Sequence, residues 1–454
     1  MKIAILGAAG VRTPLIIEAM AERQAKTGLT DLALMDIDAD RLEVIETLNE
    51  AALAKKSASL HLTHTTDARE ALTGADFVIT TFRVGGIESR IVDERVPLRV
   101  GVLGQETTGP GGFAMGMRTI PVLMDYLDLM HDVCPNAWLI NFANPAGMLA
   151  EAALRAAGWK RAVGICDAPS GMQRIAAAIL RLAPEDVTLD YFGLNHLGWV
   201  RGVMVQGENW LPELMEMFTR IGGMPGLPFD MGLIQSLGMI PNEYLYYYYA
   251  RSQAVENILR SEQTRGEQIA ALNVRLFERL KTLKAAGQVA EMVRTHDAYL
   301  TERGASYMAK ETGKGHAEMD PAFKAAMDTG GYAGVALDLI EGLVGGGTRI
   351  MTLNILNQGA IAGMQPDDVV EVPAVVSKGL VRPLAVGEIP QVCLGLMQQV
   401  KSYERLTIAA AMEGSYDKAM QALILHPLIG DAVKARAILD GYRREHGNLF
   451  PDLH

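Results

Sequence analysis

The chain has 454 residues, of which 49% are hydrophobic and 21% charged, with a formal net charge of -11. That length can bury a large core and predicts two or more domains or one elaborated α/β unit, and the composition excludes a disordered chain. The negative balance argues against a surface that tracks nucleic-acid phosphates, while leaving room for a local basic pocket for a small anion. The opening apolar run is too short for a signal peptide and no segment approaches the ~20 apolar residues of a membrane span, so the cytoplasm is the expected location. Three widely spaced cysteines, Cys134, Cys166 and Cys393, imply no disulfide framework.

Residues 2–6 run straight into Gly7-Ala8-Ala9-Gly10, and a helical pattern follows through Leu15, Ile16, Ala19 and Met20. A buried parallel strand, a tight turn and a helix start make a pyrophosphate site. The next strand, residues 32–35, ends on Asp36, from which a carboxylate binds the adenosine ribose hydroxyls and repels a 2′-phosphate, favouring NAD over NADP. Ala9 and Arg12 stand where the full G-x-G-x-x-G fingerprint has its second and third glycines, so the turn alone fits any α/β protein with a glycine turn. Strand, helix and acid together point to a dinucleotide, with Gly7, Gly10, Asp36 and Arg41 as candidate contacts. A helix over residues 68–72 and a third strand over 76–81 complete the alternation of a Rossmann-like doubly wound sheet. Arg83 follows at that sheet's carboxyl end, where ligands bind; taken alone it reads equally as a surface arginine.

Residues 101–122 set many glycines among polar residues, which predicts a loop that brings backbone close to another group, with a helix from Met115. Residues 137–144 read as a buried strand ending on an asparagine and Pro145 opens the next helix, so Asn144 lies at the sheet's carboxyl edge. Two more β-rich runs, 162–165 and 187–192, lead to Cys166-Asp167 and to Asn195-His196. A thiolate and an imidazole suit a borderline-soft divalent ion, with Asp167 as a proton-handling carboxylate and Asn195 as an amide that can hold a hydroxyl. The alternative is a small buried cysteine and a satisfied loop histidine. Four consecutive tyrosines, 246–249, cover all sides of a helix, so some must pack and some must find hydrogen-bond partners. Arg265 opens a long amphipathic helix, and from Ala322 onward helical patterns mix with short strands at 349–353 and 369–372. The expected division is a dinucleotide-binding unit over 1–195 and a larger mixed, mainly helical substrate and assembly domain over 196–454.

Residues 81–86, Asp93-Glu94, Gly104-Gln105-Glu106-Thr107, 109–121, 141–146, Cys166-Asp167-Ala168-Pro169, 193–196, 240–249, Val370-Glu371-Val372-Pro373 and His426-Pro427-Leu428 together resemble glycoside hydrolase family 4, over nearly the whole chain. The resemblance implies an enzyme that uses NAD and Mn²⁺, or another divalent metal, on a phosphorylated sugar, as a homodimer or homotetramer. It implies that Cys166 and His196 hold the metal, that the sugar's 3-hydroxyl is oxidised, and that Tyr244 takes the acidified C2 proton. Asp167 would protonate the leaving oxygen, water would add and the hydride would return. Arg265 would hold the 6-phosphate, with Arg83, Asn144 and Asn195 as further substrate contacts. A phenol titrates near ~10, so Tyr244 needs a cation beside it to act as a base. A two-carboxylate glycosidase would instead need a pair of acids that spacing alone does not nominate.

Family members that act on 6-phospho-β-glucosides often carry asparagine after the metal cysteine, whereas α-acting members carry aspartate, as here. Other matches, including residues 105–112, look β-like, so β is the expectation and α the alternative. One stretch departs from the resemblance: Thr329-Gly330-Gly331-Tyr332 stands where members usually carry Arg-Gly-Gly-Ala, which puts a substrate contact from that loop in question. From another class, Gly7-Ala8-Ala9-Gly10 also looks like the opening of malate dehydrogenase. A plain NAD-dependent hydroxy-acid or sugar dehydrogenase would have no use for Cys166 with a metal.

Overall fold

Strands covered on both faces are apolar throughout, and the amino-terminal runs are of that kind. The computed structural model describes residues 1–56, 58–221, 223, 227–313 and 331–454. Six strands, β1 (Lys2–Leu6), β2 (Asp31–Met35), β3 (His61–Thr65), β4 (Phe77–Thr80), β5 (Trp138–Asn141) and β6 (Ala162–Gly164), lie parallel in the order β3-β2-β1-β4-β5-β6. The order reverses between β1 and β4, the switch point at which a doubly wound sheet opens a crevice for ligands. The alternation expected from the sequence lacks β3. That strand is the sheet's edge and has no fully buried residue, so burial imposed no apolar run on His61-Leu62-Thr63-His64-Thr65.

The glycine-rich stretch is shorter as a loop than expected. Its helix begins at Pro110 rather than Met115 and runs to Val133, with Gly111 and Gly112 in the first turn. A Cβ at Gly111 would lie 1.9 Å from the Gln105 carbonyl oxygen, and one at Gly112 would lie 2.3 Å from that of Thr107. Backbone does approach closely here, and what it approaches is the chain's own loop at 104–108.

Seven further strands extend the same sheet: β7 (Val187–Leu194), β8 (Leu197–Val205), β9 (Glu208–Asn209), β10 (Ile240–Pro241), β11 (Arg349–Leu356), β12 (Val369–Ser377) and β13 (Leu380–Pro383). They pair antiparallel, and beyond β6 the order is β11-β12-β7-β8-β10, with β9 on β8 and β13 on β12, giving thirteen strands among the described residues. Two joins are narrow. Asn354 of β11 pairs with Gly164 of β6, and Glu371 of β12 pairs with Gly193 of β7. Thr329 and Gly330 of the departing loop lie outside the described residues, and Gly331 begins the helix Gly331–Val344.

One apolar core runs from Ile5 and Leu34 through Phe113 to Val372 and Met397, so the late helices pack on the early sheet. A buried ion pair fixes that packing. Arg118 offers Nη1 and Nη2 to the two carboxylate oxygens of Asp93 at 2.7 Å each, with neither side chain exposed. From the helix Ala432–His446, His446 Nε2 meets Asp93 Oδ1 at 3.0 Å and the Tyr442 hydroxyl donates to the Asp93 carbonyl at 2.9 Å. Removing Arg118 leaves the Asp93 carboxylate buried with only the His446 ring on its side chain. Arg118→Met is therefore expected to lower the stability to urea by about 3–5 kcal/mol, whereas Arg99→Met, at a half-exposed pair with Glu445, should cost about 1 kcal/mol or less. Equal losses for the two variants would remove the buried pair from this account.

Candidate active site

The turn after β1 is shaped by contact with its neighbours. Gly7 has φ +95°, and a Cβ there would lie 2.4 Å from the Phe82 nitrogen, so only glycine lets β1 and β4 end so close together. The Gly7 and Ala8 amides both donate to the Met35 carbonyl at 2.9 Å. Asp36, just past β2, accepts from the Ala9 amide at 2.9 Å and the Asp38 amide at 3.0 Å, one to each carboxylate oxygen. The acid at the second strand end is thus fastened to the glycine turn of the first. The helix Thr13–Glu22 follows, with Pro14 in its first turn. Among the described residues the Gly10 and Val11 amides donate to nothing, which leaves them for an anion at this turn. These features fit a dinucleotide's pyrophosphate and ribose. Arg41 lies in the first turn of the helix Ala39–Lys55, its guanidinium 4.2 Å from the centre of the Phe277 ring.

A second cluster forms where the two parts of the sheet meet. Cys166 is buried two positions past β6, and Asp167 stands at the N-cap position of the helix Ala168–Leu180 without a side-chain capping bond. Asn195 and His196 make the two-residue turn between β7 and β8, with His196 at φ +62°. Beside them Glu371, buried on β12, accepts from the Tyr191 hydroxyl at 2.6 Å, Asn354 Nδ2 at 3.0 Å and Asn195 Nδ2 at 3.2 Å. Burial pushes the Cys166 thiol well above its ordinary range, and Glu371, Asp167 and Glu243 push it further in that direction. With no cation beside it, Cys166 therefore favours its thiol form. Burial lowers the His196 imidazole to about 4, so the ring is neutral at pH 7.

Tyr244 connects these groups. Its ring stacks on His196, centroids 3.6 Å apart and planes 6° from parallel. Burial, then Glu243 and Cys166, hold its phenol well above the ordinary value. Glu243 itself is raised to about 7 by burial and by Asp167, against the pull of the Tyr307 hydroxyl, which donates to its Oε1 at 3.2 Å. Among the described residues no three His, Cys, Asp or Glu side chains form a closed metal cage. A thiol and a neutral imidazole at an otherwise acidic spot nonetheless fit an open divalent site, in which substrate supplies the remaining ligands.

The third part is cationic. Glu106 accepts from Arg83 Nη2 at 2.6 Å and lies 2.8 Å from Arg90 Nη1. Burial would raise its carboxyl, yet Arg90, Arg83 and Arg303 hold it at about 2. Arg90 also pairs with Glu94 at 2.8 Å, and the other Glu94 oxygen accepts the Gly266 amide at 2.7 Å. Arg265 opens the helix Arg265–Ala285, which Thr264 and Glu267 cap reciprocally. Arg265 is 8% exposed, and its guanidinium reaches the Arg303 carbonyl at 2.6 Å, Gln268 Oε1 at 3.2 Å and the Ser306 hydroxyl. Burial, Arg90 and Arg303 all disfavour its charge. Asn144, part-buried past β5, makes no hydrogen bond among the described residues.

Of the residues expected from sequence, Cys166, Asp167, Asn195, His196 and Tyr244 come together, and Glu106 joins them to Arg83 and to the Arg265 pocket. Glu243, Tyr307, Thr107, Arg90 and Arg303 are additions. Glu371 is another, and it carried a signal, a carboxylate inside the apolar run Val369-Val370-Glu371-Val372. Glu243 and Tyr307 carried none, since either residue type in a polar stretch is ordinary.

Comparison with known proteins accords with this architecture. Residues 2–182 match the model of the family described as Family 4 glycosyl hydrolase, and residues 191–429 match that of the Family 4 glycosyl hydrolase C-terminal domain. The chain is 32% identical over 464 residues to a probable 6-phospho-beta-glucosidase of Bacillus subtilis, covering 100% of this chain and 98% of that protein. Among solved structures, the 6-phospho-beta glucosidase of Thermotoga maritima with NAD and glucose-6-phosphate is similar at a TM-score of 0.84 and 27% identity, with 100% of both chains covered. A 6-phospho-alpha-glucosidase from gut microorganisms, in complex with NAD and Mn²⁺, has a TM-score of 0.83 and 29% identity, covering 100% of this chain and 99% of that one. With both halves of the chain matched and a relative aligned end to end, the protein belongs to family 4 of the glycosyl hydrolases.

Proposed function

We propose that the protein hydrolyses 6-phospho-β-glucosides, with NAD and a divalent metal, manganese in the first instance, as its cofactors. The observation that carries this reading is a pair of opposite electrostatic demands in one buried site: a thiol among carboxyls beside a pocket of guanidiniums. The first calls for a cation and the second for an anion such as a sugar phosphate. The similarity to enzymes that carry the names of 6-phospho-glucosidases supports the substrate class.

Gly7, Gly10 and Asp36 bind the dinucleotide, with Arg41 beyond them, and Cys166 with His196 holds the metal. When bound, NAD supplies a reversible hydride acceptor for the sugar's 3-carbon and the metal supplies Lewis acidity at the neighbouring oxygens. Tyr244 removes the C2 proton. Burial keeps its phenol protonated in the protein alone, so this role depends on a positive charge beside it. Asp167, at the start of its helix, hands a proton to the leaving oxygen. Asn195 is oriented by Glu371 through its amide nitrogen, which leaves its carbonyl for a sugar hydroxyl. Asn144 takes a second hydroxyl at the end of β5. Arg83, Arg265 and Arg303 receive the 6-phosphate.

A 6-phospho-α-glucosidase is the second reading, favoured by the aspartate at 167 and by the similarity to an α-acting enzyme. We further propose a division between residues 195 and 196, an assembly of two or four copies, and action in the cytoplasm, where phosphorylated sugars are retained. Among the described residues no helix is long and apolar enough to cross a membrane.

Hydrolysis of p-nitrophenyl β-glucoside 6-phosphate and its α-anomer, with and without NAD and Mn²⁺, tests the activity. Nitrophenol release that needs both additives, without net NADH, and faster for the β-anomer, is expected; steady NADH accumulation would instead show a dehydrogenase. Cys166→Ser should abolish Mn²⁺-dependent turnover while NAD still binds with wild-type affinity, as read by titration calorimetry. Asp36→Ala should weaken NAD by about 1.5–3 kcal/mol, tenfold or more, the worth of hydrogen bonds to a charged group; unchanged affinity would mean that the nucleotide lies elsewhere.

A further inference from the structure

His196 reaches the site from a turn, and a second loop decides how its ring is protonated. Gln105 is buried, and its side-chain oxygen accepts the Thr107 amide at 2.7 Å and the Thr108 amide at 2.6 Å. Two N–H donors identify that atom as the amide oxygen, an acceptor only. The Thr107 hydroxyl lies 3.1 Å from the same oxygen and 3.1 Å from His196 Nδ1. A hydroxyl has one proton. If it pointed at Nδ1, its lone pairs would face the Gln105 oxygen at 3.1 Å, a repulsive contact in a buried place. With the proton on the Gln105 side, Thr107 Oγ1 can only accept from Nδ1, so in the neutral ring Nδ1 carries the hydrogen and Nε2 keeps its lone pair.

We propose that Gln105 and Thr107 are positioning residues that lock His196 in the Nδ1–H tautomer and reserve Nε2 for the site. The loop is suited to that role because it is itself clamped. The first turn of the helix Pro110–Val133 leaves no room for side chains at Gly111 and Gly112 against the Gln105 and Thr107 carbonyls. Tyr244, stacked on the other side of the relay's end point, restricts the tilt of the imidazole. A metal-binding histidine has its other nitrogen engaged in this way, and loss of such a partner typically weakens the metal 10–100-fold. The link to metal rests on the reading of His196 as a donor given above; the tautomer does not.

The two parts are measured separately. In metal-free protein labelled with ¹⁵N-histidine, two-bond proton–nitrogen correlations report the tautomer, and a His196→Gln spectrum assigns the ring among the nine histidines. Wild type should show hydrogen on Nδ1, Thr107→Val should shift the ring toward the Nε2–H form, and Thr107→Ser should restore it. Electron paramagnetic resonance titration with Mn²⁺ alone should then show ten- to hundred-fold weaker binding for the valine variant, recovered by serine, with NAD affinity unchanged. An Nε2–H tautomer in wild type overturns the proposal, as does a valine variant with the wild-type tautomer. Wild type that has the expected tautomer but binds no Mn²⁺ would remove His196 from the metal site and leave the relay standing.

Discussion

The buried carboxylate of Glu371 holds the seam on which the site depends. It sits on β12, opposite Gly193 of β7, and takes hydrogen bonds from Tyr191 on β7, Asn354 on β11 and Asn195 in the β7–β8 turn. Three donors make a buried carboxylate tolerable, and the same three tie β12 to β7, β11 and the β7–β8 turn. Asn354 in turn pairs with Gly164, two residues before Cys166. One acid thereby sets the spacing between the end of β6 and the turn that carries His196. It also acts on the Cys166 thiol and disfavours its ionisation. The group that joins the sheet is part of the electrostatics of the site.

Charge in this region is sorted by sign. On the side of Cys166, the acids Glu371, Asp167 and Glu243 lie near one another, and burial raises Glu371 and Glu243. On the side of Arg265, the guanidiniums of Arg90 and Arg303 disfavour its charge, with Glu106 and Glu94 tying part of the positive charge down. Between the two stands the loop at 104–108, whose Glu106 faces the arginines and whose Thr107 faces His196. Such arrangements are costly without partners. A cation at one end and a phosphate at the other would satisfy both.

Much of this was legible in the chain. The strand before Gly7, the acid at 36 and the run leading to Cys166 carry their meaning in local pattern, because burial of parallel strands demands continuous apolar stretches, and the run before His196 is legible as a β-rich stretch ending on a polar pair. What pattern could not show depends on tertiary contact. β3 is polar because it is an edge; Gly111 and Gly112 belong to a helix because a loop is pressed against it, and from sequence they read as loop. Arg265 reads as either a solvated helix-start residue or a phosphate contact, and only the fold shows it buried against Ser306, Gln268 and the Arg303 carbonyl. The tautomer of His196 follows from a three-residue hydrogen-bond geometry that has no sequence signature at all.

In the proposed reaction the glycosidic bond breaks by way of proton removal at C2, with Tyr244 as the base. Cleavage of a 6-phospho-β-glucoside in D₂O by the NAD- and Mn²⁺-loaded enzyme, followed by proton NMR of the released sugar phosphate, tests it most directly. Deuterium at C2 of the product is expected. Complete cleavage with the C2 proton retained would contradict it and would direct attention to Asp167 and Glu243 as an ordinary pair of carboxyl catalysts.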